Sequence, residues 1–137
     1  MKYIIYFVLV TLTFKTYSQK YSLKERRNID SLNLVLSSSQ HDTTIAATYV
    51  ALSDILYVSN KDTLFSLCSK AKKIAEEGLN NNPSKKTKTS LKKTLADAIN
   101  NIGYYYGEKG DYNRQKEYYL KSLAIRKTIL LPNGEYG

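Results

Sequence analysis

The strongest constraint on the fold of this chain is a helical hydrophobic period that returns in five separate stretches. Apolar residues recur every three or four positions in each stretch, which places them along one face of an α-helix. No stretch alternates between apolar and polar residues for long enough to form a strand. The spacing therefore predicts an all-α protein, with helices over residues 22–36, 43–58, 62–79, 84–106 and 111–130.

Residues at the breaks predict where these helices start and stop. Gly78, followed by three asparagines and Pro83, predicts the end of the third helix, because Gly or Asn takes the left-handed conformation and proline does not continue a helix. Asp42 or Thr43 is expected to cap the second helix. Glycine and proline are otherwise scarce, at 6 and 2 of 137 residues, which disfavours a turn-rich β-sandwich.

Residues 1–19 have the pattern of a secretory signal. Lys2 gives a positive start, residues 3–14 carry no charge, and the next five residues are polar. Twelve helical residues span about 18 Å, which is too short for a hydrocarbon core of about 30 Å. The ending Ser18-Gln19 is similar to signals of Bacteroidetes-type bacteria, which implies cleavage after Gln19. We therefore expect an exported, periplasmic protein, or one anchored in the inner membrane if the signal stays uncleaved.

The chain is basic, with 21 Lys and Arg against 12 Asp and Glu and a net charge of +9. Such a surplus suits nucleic acid, an anionic membrane, an acidic partner, or solubility alone. The cations are dispersed except over residues 84–93, where five of the ten residues are lysine. A solvated helix start explains this run, and an anion-binding patch is the alternative.

The side chains that enzymes and metal sites need are few. A single cysteine, Cys68, excludes an intrachain disulfide and a thiolate zinc cluster, and a single histidine, His41, excludes a His-rich metal site. No carboxylate has a His or Cys at catalytic spacing, and no phosphate-binding loop follows a strand. We expect no catalytic residue, no metal and no cofactor, and therefore no enzymatic activity.

A repeat motif spans the fourth and fifth predicted helices. It reads Ile99-x2-Ile102-Gly103-x2-Tyr106, then Gly110-Asp111, then Gln115-x3-Tyr119 with Ser122. This pattern resembles the 34-residue unit of the tetratricopeptide repeat (TPR) family. Gln115 departs from the alanine that the family prefers, and Lys127 stands where a proline often ends the unit.

A weaker copy of the motif lies upstream. It reads Thr48-x2-Ala51-Leu52-x2-Ile55, then Leu64-x3-Cys68 with Ala71. The resemblance implies a right-handed solenoid of helix hairpins, preceded by the signal segment. Its parts are expected to be the signal peptide at 1–19, an N-terminal capping helix at 20–40, a degenerate repeat at 45–78, a basic insertion and helix extension at 79–95, the clear repeat at 96–129, and the lead-in to a further repeat at 130–137.

The resemblance also assigns roles to individual positions. The repeat core is expected to contain Ala51, Leu52, Ile55, Cys68, Ala71, Ile99, Ile102, Gly103, Tyr106, Tyr119 and Ser122. In this family the first helix of each repeat lines a concave groove, which implies the peptide contacts Tyr49, Ser53, Leu56, Tyr57, Asp97, Asn100, Tyr104 and Glu108. Because tyrosine and asparagine side chains stack and hydrogen-bond, an extended peptide is the ligand class expected there.

A protein or peptide partner of unknown identity follows from this resemblance. It implies a non-enzymatic interaction scaffold, in the manner of the exported N-terminal sensory part of larger bacterial signalling proteins such as histidine kinases or transcriptional regulators. The alternative is a basic helical nucleic-acid-binding protein, which the export signal disfavours. The last helix is expected to leave five apolar residues partly uncovered and so to favour self-association through Tyr118, Ile125, Ile129, Leu130 and Leu131.

Overall fold

The computed structural model describes residues 21–58 and 60–129, and all the regular structure in these ranges is helical. The helices are α1 (Leu23–Ser38), α2 (Asp42–Leu56), α3 (Lys61–Asn80), α4 (Lys85–Glu108) and α5 (Tyr112–Lys127). The predicted all-α class is confirmed, and each predicted boundary lies within three residues of the observed one. The predicted signal at 1–19 and the lead-in at 130–137 lie outside the described residues. None of the described helices is long and apolar enough to cross a membrane.

Polar side chains define four of the five helix starts. Each of these N-cap residues accepts a hydrogen bond from a main-chain N–H in the first turn: Ser22 for α1, Asn60 for α3, Ser84 for α4 and Asp111 for α5. Helix α2 is the exception, because its N-cap residue is His41 and no side chain caps it. The prediction that Asp42 or Thr43 caps this helix was wrong, since both lie inside the first turn.

The predicted end of α3 shortly after Gly78 is confirmed, although the left-handed residue is an asparagine and not Gly78. The helix continues to Asn80, and the turn is made by Asn82, whose φ of 49° lies in the left-handed region. Gly78 is buried instead where α3 approaches α4: a Cβ atom at this position would lie 3.0 Å from Cδ1 of Leu91. Its missing side chain therefore serves helix packing rather than helix termination.

Helices that follow one another in the chain run antiparallel. The start of α3 meets the end of α4 in the ion pair of Lys61 with Glu108. In the same way, Ser122 near the end of α5 donates a hydrogen bond to the carbonyl oxygen of Ala96 in the first half of α4, at 2.8 Å. The chain thus folds back at each short connection.

Helices α2 and α4, in contrast, lie side by side in the same direction. The Nδ2 of Asn101 donates to Oδ1 of Asp54 at 2.7 Å, and one turn later the rings of Tyr57 and Tyr104 meet. Helix α4 also packs against α3, so it covers both helices of the α2–α3 pair, while α5 packs against α4. The backbone of α1 approaches that of α2 and of no other described helix.

The core is built from small and branched apolar side chains in two clusters. One joins α2, α3 and α4 around Val50, Leu64, Cys68, Ala71, Ala98 and Ile102, and the other lies around Ala46, Ala75, Leu91, Leu95 and Ile99. Four of these residues are alanines with no exposed surface, which lets the helix backbones approach closely. Helix α1 contributes no buried residue to either cluster.

Most predicted core residues are buried, with one clear exception. Ala51, Ile55 and Tyr106 are half-buried, and Tyr119 is 37% exposed; the buried ones are Leu52, Cys68, Ala71, Ile99, Ile102, Gly103 and Ser122. Tyr119 lies against Gly103 with one edge of its ring, since a Cβ atom on Gly103 would lie 2.8 Å from Cδ1 and 2.9 Å from Cε1 of Tyr119.

Of the residues predicted to be partly uncovered at the end of the chain's last helix, two are half-buried as predicted and one is buried. Tyr118 and Ile125 are half-buried and Ile129 is buried, because they share with Ser122 the face that packs on α4. Leu130 and Leu131 lie outside the described residues. The apolar residues that α5 leaves exposed are Tyr112, Tyr119, Leu120 and Leu123.

Candidate functional site

The predicted groove residues lie on α2 and α4, and the structure brings two of them into direct contact. Tyr57, which directly follows α2, meets Tyr104 of α4 edge to face, with 6.0 Å between the ring centroids. Tyr57 is 38% exposed and Tyr104 is half-buried. Aromatic pairs of this geometry are mutually stabilising and leave ring surface for a ligand. This pair is the centre of the candidate peptide-binding surface.

Ser53 does not belong to that surface. Its side chain has no exposed area, and its Oγ donates to the carbonyl of Val50 at 2.7 Å while accepting from Sγ of Cys68 at 3.2 Å. Asn101 of α4 also donates to this Oγ, at 3.4 Å. The prediction that Ser53 lines the groove is therefore wrong. Ser53 faces α3, where it links three helices through a buried polar network.

Burial between helices raises the pKa values of two groups in this network. Desolvation raises the pKa of the Cys68 thiol, and the hydrogen bonds with Ser53 and Asn101 only partly oppose it. Desolvation also raises the pKa of Asp54, although its side chain keeps contact with solvent and accepts the hydrogen bond of Asn101. A buried thiol with a raised pKa is a poor nucleophile, so the network is suited to helix packing.

Both acidic residues predicted for the groove are engaged in ion pairs within the chain. Asp97 pairs with the guanidinium of Arg126 on α5, with 2.5 Å between Oδ1 and Nη2. Lys61 donates a hydrogen bond to the carboxylate of Glu108, and this bond raises the pKa of the lysine. Because each carboxylate already has a cation, neither is a free acceptor for a partner.

The neighbouring pairing at this end of α4 involves Asp62. Its Oδ1 accepts a hydrogen bond from the hydroxyl of Tyr105 at 3.0 Å and lies 3.3 Å from Nζ of Lys109. These two partners, Tyr105 first, lower the pKa of the carboxyl. The start of α3 and the end of α4 are thus joined by a short chain of charged and hydroxyl groups.

The remaining groove residues lie in three different surroundings. Leu56 lines a cavity of about 470 Å³ between α1 and α2, together with Ile29 and Asn33, so it faces α1. Tyr49 is half-buried, and the ammonium of Lys70 lies 5.6 Å from its ring centroid. Asn100 is half-buried on α4, one turn before Tyr104. The surface is therefore narrower than predicted, with Tyr57 and Tyr104 as its aromatic centre.

A row of four aromatic rings lies beside this surface and was not predicted. Centroid distances are 4.8 Å from Phe65 to Tyr105, 5.5 Å from Tyr105 to Tyr106 and 5.3 Å from Tyr106 to Tyr118. The cations of Lys109, Arg114 and Lys121 lie 5.1–5.3 Å from the ring centroids of Tyr105, Tyr106 and Tyr118, respectively. Since these cations cover ring faces, the row joins α3, α4 and α5 rather than forming an open stacking platform.

Part of this row could have been predicted from the spacing of residues in the sequence. The pairs Tyr105 with Lys109 and Tyr118 with Lys121 are three or four residues apart, which puts each ring and its cation on one helix face. Phe65, which packs against Tyr105, lies on another helix, and no local sequence pattern predicts that contact.

No metal-binding arrangement is found in residues 21–58 and 60–129, where no three His, Cys, Asp or Glu side chains come together. Comparison with protein-family models, with characterised proteins and with solved structures finds no significant match to the chain. The functional argument therefore rests on the geometry of the chain itself.

Proposed function

We propose that the chain is a non-enzymatic scaffold for protein–protein interaction, built from two tetratricopeptide-type helix hairpins. The observation that carries the proposal is the side-by-side, parallel packing of α2 and α4, each followed by an antiparallel helix. This is the arrangement expected when two hairpins stack, with the first helices of the hairpins forming one surface and the second helices another.

Equivalent positions of the two proposed repeats support it. Ala71 and Ser122, which are 51 residues apart as the repeats are, are both buried. Leu52 and Gly103 have the same spacing and are also both buried. At Gly103 the second helix of its hairpin comes so close that Tyr119 occupies the space of a side chain. A small residue at this crossing is what the repeat pattern requires.

The partner proposed for the α2–α4 surface is an extended segment of another protein. Tyr57 and Tyr104 offer ring surface to apolar or proline side chains, and the Asn100 amide can pair with a peptide backbone. The ion pairs of Asp97 and Glu108 leave the surface without a free carboxylate at these two positions. We expect a peptide recognised by shape and hydrogen bonding more than by charge.

Selection of peptides from a random library on the full chain tests this surface. For a selected peptide, Tyr57→Ala and Tyr104→Ala are expected to weaken binding about tenfold each, the effect of losing roughly 1.4 kcal/mol at an anchor residue. Leu34→Ala is the control, because Leu34 is 69% exposed on α1, away from the pair. Equal affinity of all three variants for every selected peptide would contradict the proposed surface.

The proposed setting is export, with the chain acting as the N-terminal sensory part of a bacterial signalling protein. This part of the proposal rests on residues 1–19 and on the resemblance described above. N-terminal sequencing of the protein recovered from the periplasm checks it, with Lys20 expected as the first residue. Recovery from the cytoplasm with Met1 intact would contradict it.

Nucleic-acid binding remains the second candidate because of the basic start of α4. Lys85, Lys86, Lys88 and Lys93 are exposed there, and the first turn contains no acidic residue. The capped tyrosine rings argue against base stacking, which such proteins use beside their cations. A gel-shift titration against single- and double-stranded DNA and RNA separates the two candidates.

A further inference from the structure

Helix α5 has an apolar stripe that no described helix covers. Tyr112, Leu120 and Leu123 are 71%, 55% and 45% exposed, and Tyr119 is 37% exposed. Their spacing of three, four, seven and eight residues places them on one side of the helix. This side differs from the face of Tyr118, Ser122, Ile125 and Ile129 that packs on α4, and from the polar side that carries the Glu117–Lys121 pair. We call the residues Tyr112, Tyr119, Leu120 and Leu123 the α5 stripe.

Two lysines lie within the α5 stripe rather than beside it. Lys116 follows Tyr112 by one turn, and Lys127 follows Leu123 by one turn. Among residues 21–58 and 60–129, neither ammonium group has an acidic partner within ion-pair distance. The other cations of α5 are paired: Arg114 with Asp111, Lys121 with Glu117, and Arg126 with Asp97.

The end of the stripe near Lys127 continues into a basic region of α4. The Nζ of Lys92 donates to Oγ1 of Thr128 at 2.9 Å, which brings the start of α4 beside the end of α5. Lys85, Lys86, Lys88 and Lys93 are exposed in the same part of α4. The surface around the stripe therefore carries a positive charge that is not neutralised locally.

We infer that the α5 stripe docks an acidic amphipathic helix of a partner protein. Such a helix would place leucine-type side chains on Tyr119, Leu120 and Leu123, and carboxylates opposite Lys116 and Lys127. This is the helix-in-groove mode of recognition, in which apolar anchors three or four residues apart give affinity and charges give specificity. The α5 stripe lies on a different helix from the Tyr57–Tyr104 pair, so this inference does not depend on the peptide surface proposed above.

Two other occupants are less compatible with the charges. A second copy pairing α5 with α5 would bring the unpaired lysines of the two stripes together, and like charges across an interface are unfavourable. A membrane-bound helix keeps its lysines on the polar side, whereas Lys116 and Lys127 would have to enter the apolar layer with the stripe. A partner helix that carries carboxylates between its apolar residues can contact both the apolar side chains of the stripe and its two lysines.

The test uses two synthetic helical peptides as long as α5, which has 16 residues. Both have leucine along one face; one carries glutamate at the flanking positions and the other lysine. We expect the full chain to bind the glutamate peptide at least about tenfold more tightly than the lysine peptide in fluorescence anisotropy, with the difference shrinking as salt is added. Leu120→Ser and the double change Lys116→Glu with Lys127→Glu are each expected to weaken this binding about tenfold. All three substituted positions are exposed, so the fold is expected to persist, as circular dichroism can verify.

The matched control variants are on α1, the first described helix, whereas the stripe is on α5, the last. Leu34 is 69% exposed, and Lys24 and Arg27 are exposed, so Leu34→Ser and the double change Lys24→Glu with Arg27→Glu make the same apolar-to-polar and charge changes elsewhere and are expected to leave the affinity unchanged. Equal binding of both peptides, or equal losses in the α1 and α5 variants, would overturn the inference. So would sedimentation showing a dimer that Leu120→Ser dissolves, or vesicles of anionic lipid that compete with the glutamate peptide for the stripe.

Discussion

Ser122 donates a hydrogen bond from its Oγ to the main-chain carbonyl oxygen of Ala96, 2.8 Å away, and both residues are buried between α4 and α5. This bond fixes which face of α5 meets α4. The half-buried Tyr118 and Ile125 lie on that face, and Leu120 and Leu123 lie outside it. One small hydroxyl residue therefore decides which apolar side chains of the last described helix are packed and which are exposed.

Replacing Ser122 tests this role. Ser122→Ala is expected to lower the free energy of unfolding by about 1 kcal/mol, the usual net value of a buried hydrogen bond, since the Ala96 carbonyl keeps its helical acceptor role. Ser122→Leu is expected to cost about 1–3 kcal/mol through overpacking at the same crossing. Urea unfolding of both variants measures the difference. Equal stability of the two would mean that α5 can rotate freely on α4.

Gly103 and Gly107 form a matched pair for testing the close crossing of α4 and α5. A Cβ atom on Gly103 would lie 2.8 and 2.9 Å from ring atoms of Tyr119 and 3.1 Å from Cβ of Tyr118, whereas one on Gly107 would meet the mobile end of the Gln115 side chain. Alanine gains about 1 kcal/mol in helix propensity over glycine. We expect Gly107→Ala to be neutral or stabilising, and Gly103→Ala to be destabilising by about 1–2 kcal/mol because overpacking outweighs propensity.

Thermal unfolding of these two glycine variants gives the comparison directly. Gly103→Ala is expected to cost less stability in a Tyr119→Ala background than in the wild-type chain, because the ring that blocks the new methyl group is removed. If Gly103→Ala raised the midpoint as much as Gly107→Ala, the crossing of the two helices would be looser than described.

Gly110 tests backbone conformation alone. Its φ of 80° is left-handed, and nothing lies within 4 Å of the position of its Cβ atom. Gly110→Ala is therefore expected to cost about 1–2 kcal/mol from backbone strain without any clash, and Gly110→Asn less, since asparagine tolerates this region. Chemical denaturation of the two variants distinguishes strain from packing, because a packing effect would make the larger asparagine the worse substitution.

Asp62 should make the stability of the protein depend on pH. Its folded-state pKa is lowered from the ordinary value of 3.8 by the Tyr105 hydroxyl and by Lys109, so the unfolded chain binds the proton more readily. The stabilisation is thus present above the ordinary pKa and is lost as the pH falls through it toward the lower folded-state value. Tyr105→Phe removes the larger cause, and carboxyl-carbon NMR titration is expected to show the Asp62 pKa moving back up.

The helices were predictable because their signals are local. Ser22, Asn60, Ser84 and Asp111 each cap a helix by accepting a hydrogen bond from a main-chain N–H two or three residues later, and the four-residue spacing of Leu91 and Leu95 repeats within a single helix. The end of the helix after Gly78 was predicted, but the packing role of Gly78 was not, because a glycine that ends a helix and one that lets a second helix approach look the same in sequence. Only the position of Leu91 in three dimensions distinguishes them.

The candidate surface was less predictable than the fold. Assigning Ser53 to the groove required the rotation of α2 about its axis, and that rotation depends on the contact with Cys68 on α3. The more exposed apolar side of α5, with Leu120 and Leu123, was missed for a similar reason, since apolar residues occur on two sides of this helix and only one side can meet α4. A periodic pattern identifies a face, but where two faces are apolar it does not say which one is packed.

The loose attachment of α1 divides the molecule into parts that should open at different rates. This helix has no buried residue and approaches only α2, while α2, α3 and α4 share the buried network of Ser53 and Cys68. Amide hydrogens of α1 should therefore exchange with solvent deuterium through local opening, long before those near Cys68, which wait for global unfolding. Each opening of α1 would uncover Leu56 and the wall of the 470 Å³ cavity, so the first hairpin would present a new apolar surface without itself unfolding.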